Sequence, residues 1–385
     1  VTPPAGRPDD GSGYFLYHSI GMFPDKGRLI GAALAEFAAA WGRPDDKQWD
    51  AALAARARYI EAWRRLIGAP AGTLTATENV TASLHTVLGA LPGAHLRGRR
   101  VLVAADCFPS LHFLLAGMAA RHGFTLDTVP LRGGESWVRE EDLVARWNDD
   151  VGVALLTTVT STASYRCDLA ALLAHGRRMG SLVGVDATQS VGLFPIDVAA
   201  GADGSRGGGA DFLVATSLKW LGGTPGAGAL YVREGLLQRC EPELRGWFSQ
   251  PDPFAWALDG FRFAPDARRF DHGTPQILAC VGSLPALAWH AGVDHEALLA
   301  HNRALCAEIE AGALARGFSI VSPRDAARRG GGVMIGVGRG SAAGIVAVLR
   351  GAGVHADARG ATLRLSPGTL TSAAGVARLL DVLER

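Results

Sequence analysis

Val183-Gly184-Val185-Asp186-Ala187-Thr188-Gln189-Ser190 and, further along, Ala215-Thr216-Ser217-Leu218-Lys219-Trp220-Leu221 decide how the chain is read. The first stretch is an apolar run that ends in a carboxylate. The second follows Phe212, Leu213 and Val214 and ends in a lysine, approached through the hydroxyls of Thr216 and Ser217. Short apolar runs of this kind are buried strands. Both carry a chemical group at the C-terminal end, where open α/β sheets keep their sites.

Each group alone has an ordinary reading. A strand-end lysine can run its stem along the protein and keep its ammonium in water. An aspartate can cap the segment that follows it. Burying an ammonium ion is costly, however, and a lysine of lowered basicity is what a Schiff base requires. The two groups at the ends of two strands of one α/β domain favour a pyridoxal phosphate site. Lys219 would carry the cofactor and Asp186 would hold the pyridine nitrogen.

Outward from these strands the pattern repeats. Strands are expected at 73–77, 100–104, 125–129, 153–156, 182–186, 212–214 and 229–232. Helices are expected from Pro44 to Gly68 and from Leu84 to Leu91, then at 109–122, 140–148 and 168–179. This alternation implies a mostly parallel seven-stranded sheet covered on both faces. The strand at 73–77 turns through Glu78-Asn79-Val80-Thr81 into its helix. That start is either an ordinary N-cap or an anion site of free backbone N–H groups. Residues 275–290, 294–316, 342–350 and 372–383 read as helices and 332–337 and 361–367 as strands, a smaller α+β unit. The resulting organisation is an N-terminal arm (1–40), a large cofactor-binding domain (41–270) and a small C-terminal domain (271–385). Within the arm, the stretch Tyr14 to Pro24 either lies over the body or reaches into the site through His18 and Ser19. Residues 201–211 are glycine-dense and read as a surface insertion. The aromatic-rich stretch 246–263 reads as packing, a pocket wall or a dimer contact.

Composition excludes several function classes. With 385 residues, 48% hydrophobic and 19% charged, the chain is an ordinary globular one. Its net charge of +1 gives no field for nucleic acid or an anionic membrane. The five cysteines (Cys107, Cys167, Cys240, Cys280, Cys306) are odd in number and form no C-x-x-C motif, which supports neither a metal site nor a disulfide framework. No run spans a membrane and no signal peptide is evident, so a cytoplasmic location is expected.

Asp186 to Gly192, Pro195-x-Asp197, Gly209-Ala210-Asp211-Phe212 and Lys219-Trp220-Leu221 with Pro225-Gly226 resemble the class V aminotransferase superfamily, of fold-type I. Within it the chain looks most like the kynureninases, through Leu155 to Leu169 and Cys107-Phe108-Pro109-Ser110, with C–S lyases sharing a similar Lys-Trp-Leu stretch. The resemblance implies pyridoxal 5'-phosphate on Lys219, with Asp186 at its ring nitrogen, Phe108 on its face and Gln189 near its phenolic oxygen or the Schiff base. It implies Val80, Thr81 and Thr216 or Ser217 at the phosphate. Gly273-Thr274 would cross from a partner subunit, which implies a homodimer with shared sites. Arg364 would clamp the substrate α-carboxylate.

The departures are as informative. Leu218 stands where kynureninases carry a tyrosine, Gln189 where they carry a histidine, Leu111 where they carry an acid, and Thr160 where an asparagine is expected. These point away from hydrolysis of kynurenine itself. Residues 317–340 hold no cysteine, which points away from a persulfide-forming desulfurase. The expected activity is a carbon–sulfur or carbon–carbon lyase that deprotonates Cα and eliminates at Cβ. The aromatic stretch suggests a bulky substrate of natural-product type. A transaminase or epimerase is the alternative, with a decarboxylase or a non-catalytic protein of the same fold further off.

Overall fold

The computed structural model describes residues 10–199, 209–338 and 341–384. The apolar runs become seven strands: β1 (Leu74–Thr77), β2 (Arg100–Ala104), β3 (Thr125–Val129), β4 (Val151–Thr157), β5 (Leu182–Asp186), β6 (Phe212–Thr216) and β7 (Gly228–Val232). They form one sheet in the order β1-β7-β6-β5-β4-β2-β3. From β6 through β3 every neighbouring pair is parallel. Only β7 runs against both of its neighbours. This is the mostly parallel sheet expected of the alternation.

β5 and β6 are buried along their whole length because apolar layers cover both faces. Side chains alternate across a strand. Val185 and Leu213 therefore join Tyr59, Trp63 and Ile67 on one face, while Phe212 and Val214 join Leu84, Leu111 and Leu115 on the other. Gly184 sits mid-strand because the Phe212 ring lies where its side chain would be, with a built Cβ only 2.1 Å from the ring. Asp211 ties the start of β6 to β5: its carboxylate accepts the Val183 N–H at 2.8 Å and pairs with Arg233.

The helices are α1 (Lys26–Trp41), α2 (Gln48–Leu66), α3 (Val80–Leu88), α4 (Pro109–His122), α5 (Glu140–Arg146), α6 (Leu169–Met179), the single turn α7 (Glu234–Leu237), α8 (Leu278–Gly292), α9 (His295–Ala315), α10 (Ala342–Gly351) and α11 (Ala373–Leu383). Helix α8 packs with α1 and α2, and its Cys280 and Leu287 bury in the core of the large sheet. A second, antiparallel sheet has the order β10-β11-β9-β8, with β8 (Ser319–Ile320), β9 (Val333–Gly336), β10 (Asp357–Arg359) and β11 (Thr362–Leu365). Its core takes side chains from α9, α10 and α11, and also Phe15 of the N-terminal segment.

Two parts of the sequence reading differ from the structure or fall outside it. The 1–40 stretch holds a helix, α1, that the reading does not predict. It is alanine-rich and buries no residue fully, so it lacks the contrast between faces that marks a packed helix. Residues 201–208 of the glycine-dense insertion lie outside the described residues. Among the described residues no helix is long and apolar enough to cross a membrane.

Candidate active site

The C-terminal ends of the parallel strands meet the start of α3 and α4 around a cavity of about 280 Å³. Its wall brings together Val80, Thr81, Phe108, Asp186, Gln189, Thr216 and Lys219, drawn from six separate elements or turns. Asn79, Thr157, Thr188, Ser161, Leu111 and Leu218 complete most of the rest.

Asp186 ends β5 and is 5% exposed. The backbone N–H of Thr188 donates to its Oδ1 at 3.0 Å. Burial pushes this carboxyl up, and the Thr188 bonds and the Lys219 charge only partly oppose it. A buried carboxylate with so few donors fits a protonated ring nitrogen, which would supply the missing charge. Lys219 lies in the turn after β6. Burial lowers its basicity, and the positive fields of Arg364 and Arg359 lower it further. Lowered basicity is what a lysine that acts as a nucleophile requires. The chain holds only three lysines, Lys26, Lys47 and Lys219, so this position is not drawn from a lysine-rich surface.

One end of the cavity is built by the start of α3. Asn79 caps the helix, its side chain accepting from the Ala82 N–H at 2.9 Å, and its carbonyl takes the Ser83 N–H. The first-turn N–H groups of Val80 and Thr81 have no partner within the helix, as in any helix start. They border the cavity with the positive end of the helix behind them. Phe108, the residue before Pro109 of α4, is 41% exposed for a large aromatic side chain, which leaves a ring face at the cavity. The hydroxyl of Thr157 is buried without a partner among the described residues and lines the cavity, as does Thr188 beside Asp186. An orphaned hydroxyl, a carboxylate short of charge, free helix N–H groups and an aromatic face together fit a planar phosphorylated pyridine. No cluster of residues able to hold a metal ion occurs among the described residues.

Other residues named from the sequence fall around this wall. Gln189 is held at both ends: its amide donates to the His18 carbonyl at 2.9 Å and accepts from the Trp220 indole at 3.1 Å. Ser217 is fully buried behind the cavity, where its hydroxyl meets Tyr59 at 2.7 Å and the Trp63 indole at 3.3 Å. Arg364 is buried on β11 and pairs with Asp357. His18 is buried and bonds Ser366 and Asp357, while Ser19 caps a turn through its N–H to the Leu16 carbonyl. Gly273 and Thr274 are exposed on the outside of the chain, beside His272 and away from this cavity wall. The aromatic stretch does not line the cavity either. Trp247 stacks with Trp256 and meets Trp49 edge-on, extending a ladder that includes Trp41 and Phe37.

Sequence reasoning missed Thr157, Thr188, Ser161 and Asp357. Thr157 ends β4 and Thr188 follows β5, so the strand-end rule that found Asp186 reaches them too. Asp357 had no such signal, because it matters only through its cross-strand partner.

A family model described as Aminotransferase class-V matches residues 46–373. The chain belongs to the class V aminotransferase family. A kynureninase of Deinococcus radiodurans is 33% identical over 295 residues, 74% of this chain and 67% of that protein. Among solved structures, a cysteine desulfurase of Thermococcus onnurineus superposes with a TM-score of 0.83 at 19% identity, covering 96% of this chain and 93% of that one. The cystine C–S lyase C-DES, solved with its product cysteine persulfide, gives 0.84 at 20% identity and covers 97% of each chain. Membership fixes the fold as type I and the cofactor as pyridoxal phosphate, in agreement with the cavity's own donors.

Proposed function

We propose that the chain is a pyridoxal phosphate-dependent lyase that removes the Cα proton of an amino acid or amino-acid conjugate and expels a group from Cβ. A carbon–sulfur bond is the favoured one. The observation that carries this reading is the short list of ionisable groups in the cavity wall. Among the described residues Asp186 and Lys219 are the two, and Asp186 would be committed to the ring nitrogen.

The bound cofactor supplies the electron sink that stabilises negative charge at Cα. Lys219 is the residue that would hold the cofactor, and its Nζ is the base that takes the Cα proton of the substrate. Val80 and Thr81 would hold the phosphate, and Phe108 would lie against the ring. With the proton on Nζ, the Cβ–S bond breaks and its electron pair leaves on sulfur. A thiolate leaves without help from an acid, so one base suffices. Hydrolysis of a β-ketone needs a further group to handle water and the carbonyl. The wall offers Leu111 and Leu218 where kynureninases carry an acid and a tyrosine. An epimerase needs a second base on the opposite face, and the wall has none among the described residues. Amino transfer needs only one lysine and is the second reading.

The wider reading includes a homodimer, which the exposure of Gly273, Thr274, Trp256 and Leu278 supports. It also includes a bulky substrate, for which the apolar wall at Leu111, Val159 and Leu218 is the support. The holoenzyme should convert a cysteine S-conjugate and water to thiol, pyruvate and ammonia with no acceptor present. Conversion that depends on an added 2-oxo acid, with no free ammonia, supports amino transfer and sinks the lyase.

A further inference from the structure

Strands β10 and β11 pair antiparallel with Asp357 directly opposite Arg364. Directly opposed residues share a face of the sheet. A guanidinium has two edges that take a carboxylate side by side, Nε with Nη2 and Nη1 with Nη2. Asp357 occupies the first. Nε of Arg364 donates to its Oδ1 at 2.8 Å and Nη2 donates to its Oδ2. Nη1 donates to the carbonyl oxygen of Ser161 at 3.1 Å, and Ser161 is part of the Lys219 cavity wall. The edge left over, Nη1 with Nη2, thus lies on the side of Ser161, a residue of the cavity wall.

Asp357 is itself held from behind. His18 Nε2 lies 3.1 Å from Oδ1, and His18 Nδ1 lies 2.8 Å from the Ser366 hydroxyl. A carboxylate only accepts, so Nε2 carries the proton and Nδ1 accepts from Ser366. Burial alone would raise the Asp357 carboxyl, but the bonds from His18 and Arg364 hold it well below the usual range. His18 also anchors the site turn, since its carbonyl takes the Gln189 amide.

We propose that Asp357, backed by His18, is a positioning residue: it fixes one edge of Arg364 so that the other is presented, already ordered, to the substrate α-carboxylate. This rests on the reading of Arg364 as the carboxylate clamp. A long arginine that is ordered by the fold need not be ordered by the ligand, which is where preorganised sites gain affinity. The alternative is that Asp357 masks Arg364 and competes with substrate.

Titrating the holoenzyme with L-alanine and with ethylamine, while following the visible band of the bound cofactor, separates these. The two amines differ by the carboxylate, so the ratio of their apparent dissociation constants reports that contact. Arg364→Ala should abolish the preference for alanine; if the preference survives, the clamp reading fails and this inference with it. Asp357→Asn and His18→Phe should each cut the preference at least about tenfold, the scale of a displaced binding group, with ethylamine binding unchanged. Unchanged ethylamine binding also certifies that a variant is folded, and the near-isosteric Asp357→Asn guards against a packing loss at His18. If Arg364→Ala abolishes the preference while Asp357→Asn and His18→Phe leave it intact, Asp357 does not position Arg364. If Asp357→Asn strengthens alanine binding, Asp357 is a mask, and the proposal is overturned.

Discussion

Replacing Gly21 with alanine adds a single methyl group against the backbone of the lysine turn. A Cβ built at Gly21 lies 1.9 Å from the Lys219 carbonyl oxygen, 2.7 Å from the Gly222 nitrogen and 2.9 Å from the Gly222 Cα. All three are backbone atoms, so no side chain can rotate out of the way. Reaching ordinary contact requires the N-terminal segment and the turn to part by more than about 1 Å, on a normal carbon contact scale. That movement breaks the hydrogen bond from the Gly21 N–H to the Leu218 carbonyl, now 3.0 Å. The lost bond costs about 1 kcal/mol. Overpacking strain adds about 1–3 kcal/mol. Urea unfolding of the holoenzyme should therefore register about 2–4 kcal/mol of destabilisation, and cofactor should leave the variant faster on dialysis. Gly31→Ala is the contrast: its Cβ would meet nothing within 4 Å, and it lies inside α1. That change should be stabilising by about 0.5–1 kcal/mol. A Gly21→Ala enzyme with the midpoint and cofactor retention of the parent would refute the claim that the N-terminal segment clamps the lysine turn.

Two further outcomes follow from buried charge. Arg56→Met should cost about 3–5 kcal/mol, because it strands the Asp271 carboxylate, buried with Arg56 Nη2 at 2.8 Å and Thr75 Oγ1 at 2.6 Å. Denaturation should show the double variant Arg56→Met/Asp271→Leu recovering part of that loss. His290, buried in α8 near His295, has its pKa lowered to about 4, chiefly by burial. The unfolded chain binds this proton near pH 6.5, so between about 6.5 and 4 the unfolded state carries more protons and stability falls as pH falls. The linkage amounts to at most about 3 kcal/mol. His290→Phe should narrow the gap between urea midpoints at pH 7 and pH 5, and an unchanged gap would assign the acid sensitivity elsewhere.

Much of the large sheet was legible because its signals are local. Helix α4 starts at Pro109 and stops at Gly123, which adopts a left-handed conformation, and the sequence marks both ends. β5 and β6 were readable as apolar runs closed by a chemical group. What stayed hidden depends on distant partners. Ser217 follows Thr216 and looks like a second phosphate hydroxyl, yet its direction is set by Tyr59 and Trp63 of α2, far back in the chain. β10 is three residues long, two of them charged, and carries no strand signal of its own. Without it the opposition of Asp357 to Arg364 cannot be seen. The small sheet also draws its core partly from Phe15, which no local pattern in the C-terminal third announces.

The most direct test of the account is to reduce the holoenzyme with borohydride and map the phosphopyridoxyl label by peptide mass. The chain offers three lysines, which makes the answer unambiguous. Lys26 is the serious competitor, since burial lowers its pKa to about 8 and its amine bonds the Gly21 carbonyl beside the same turn. The account predicts label on the peptide bearing Lys219 and loss of the visible band in Lys219→Ala. Label on Lys26 or Lys47, or a colourless protein that takes up no cofactor, would contradict it.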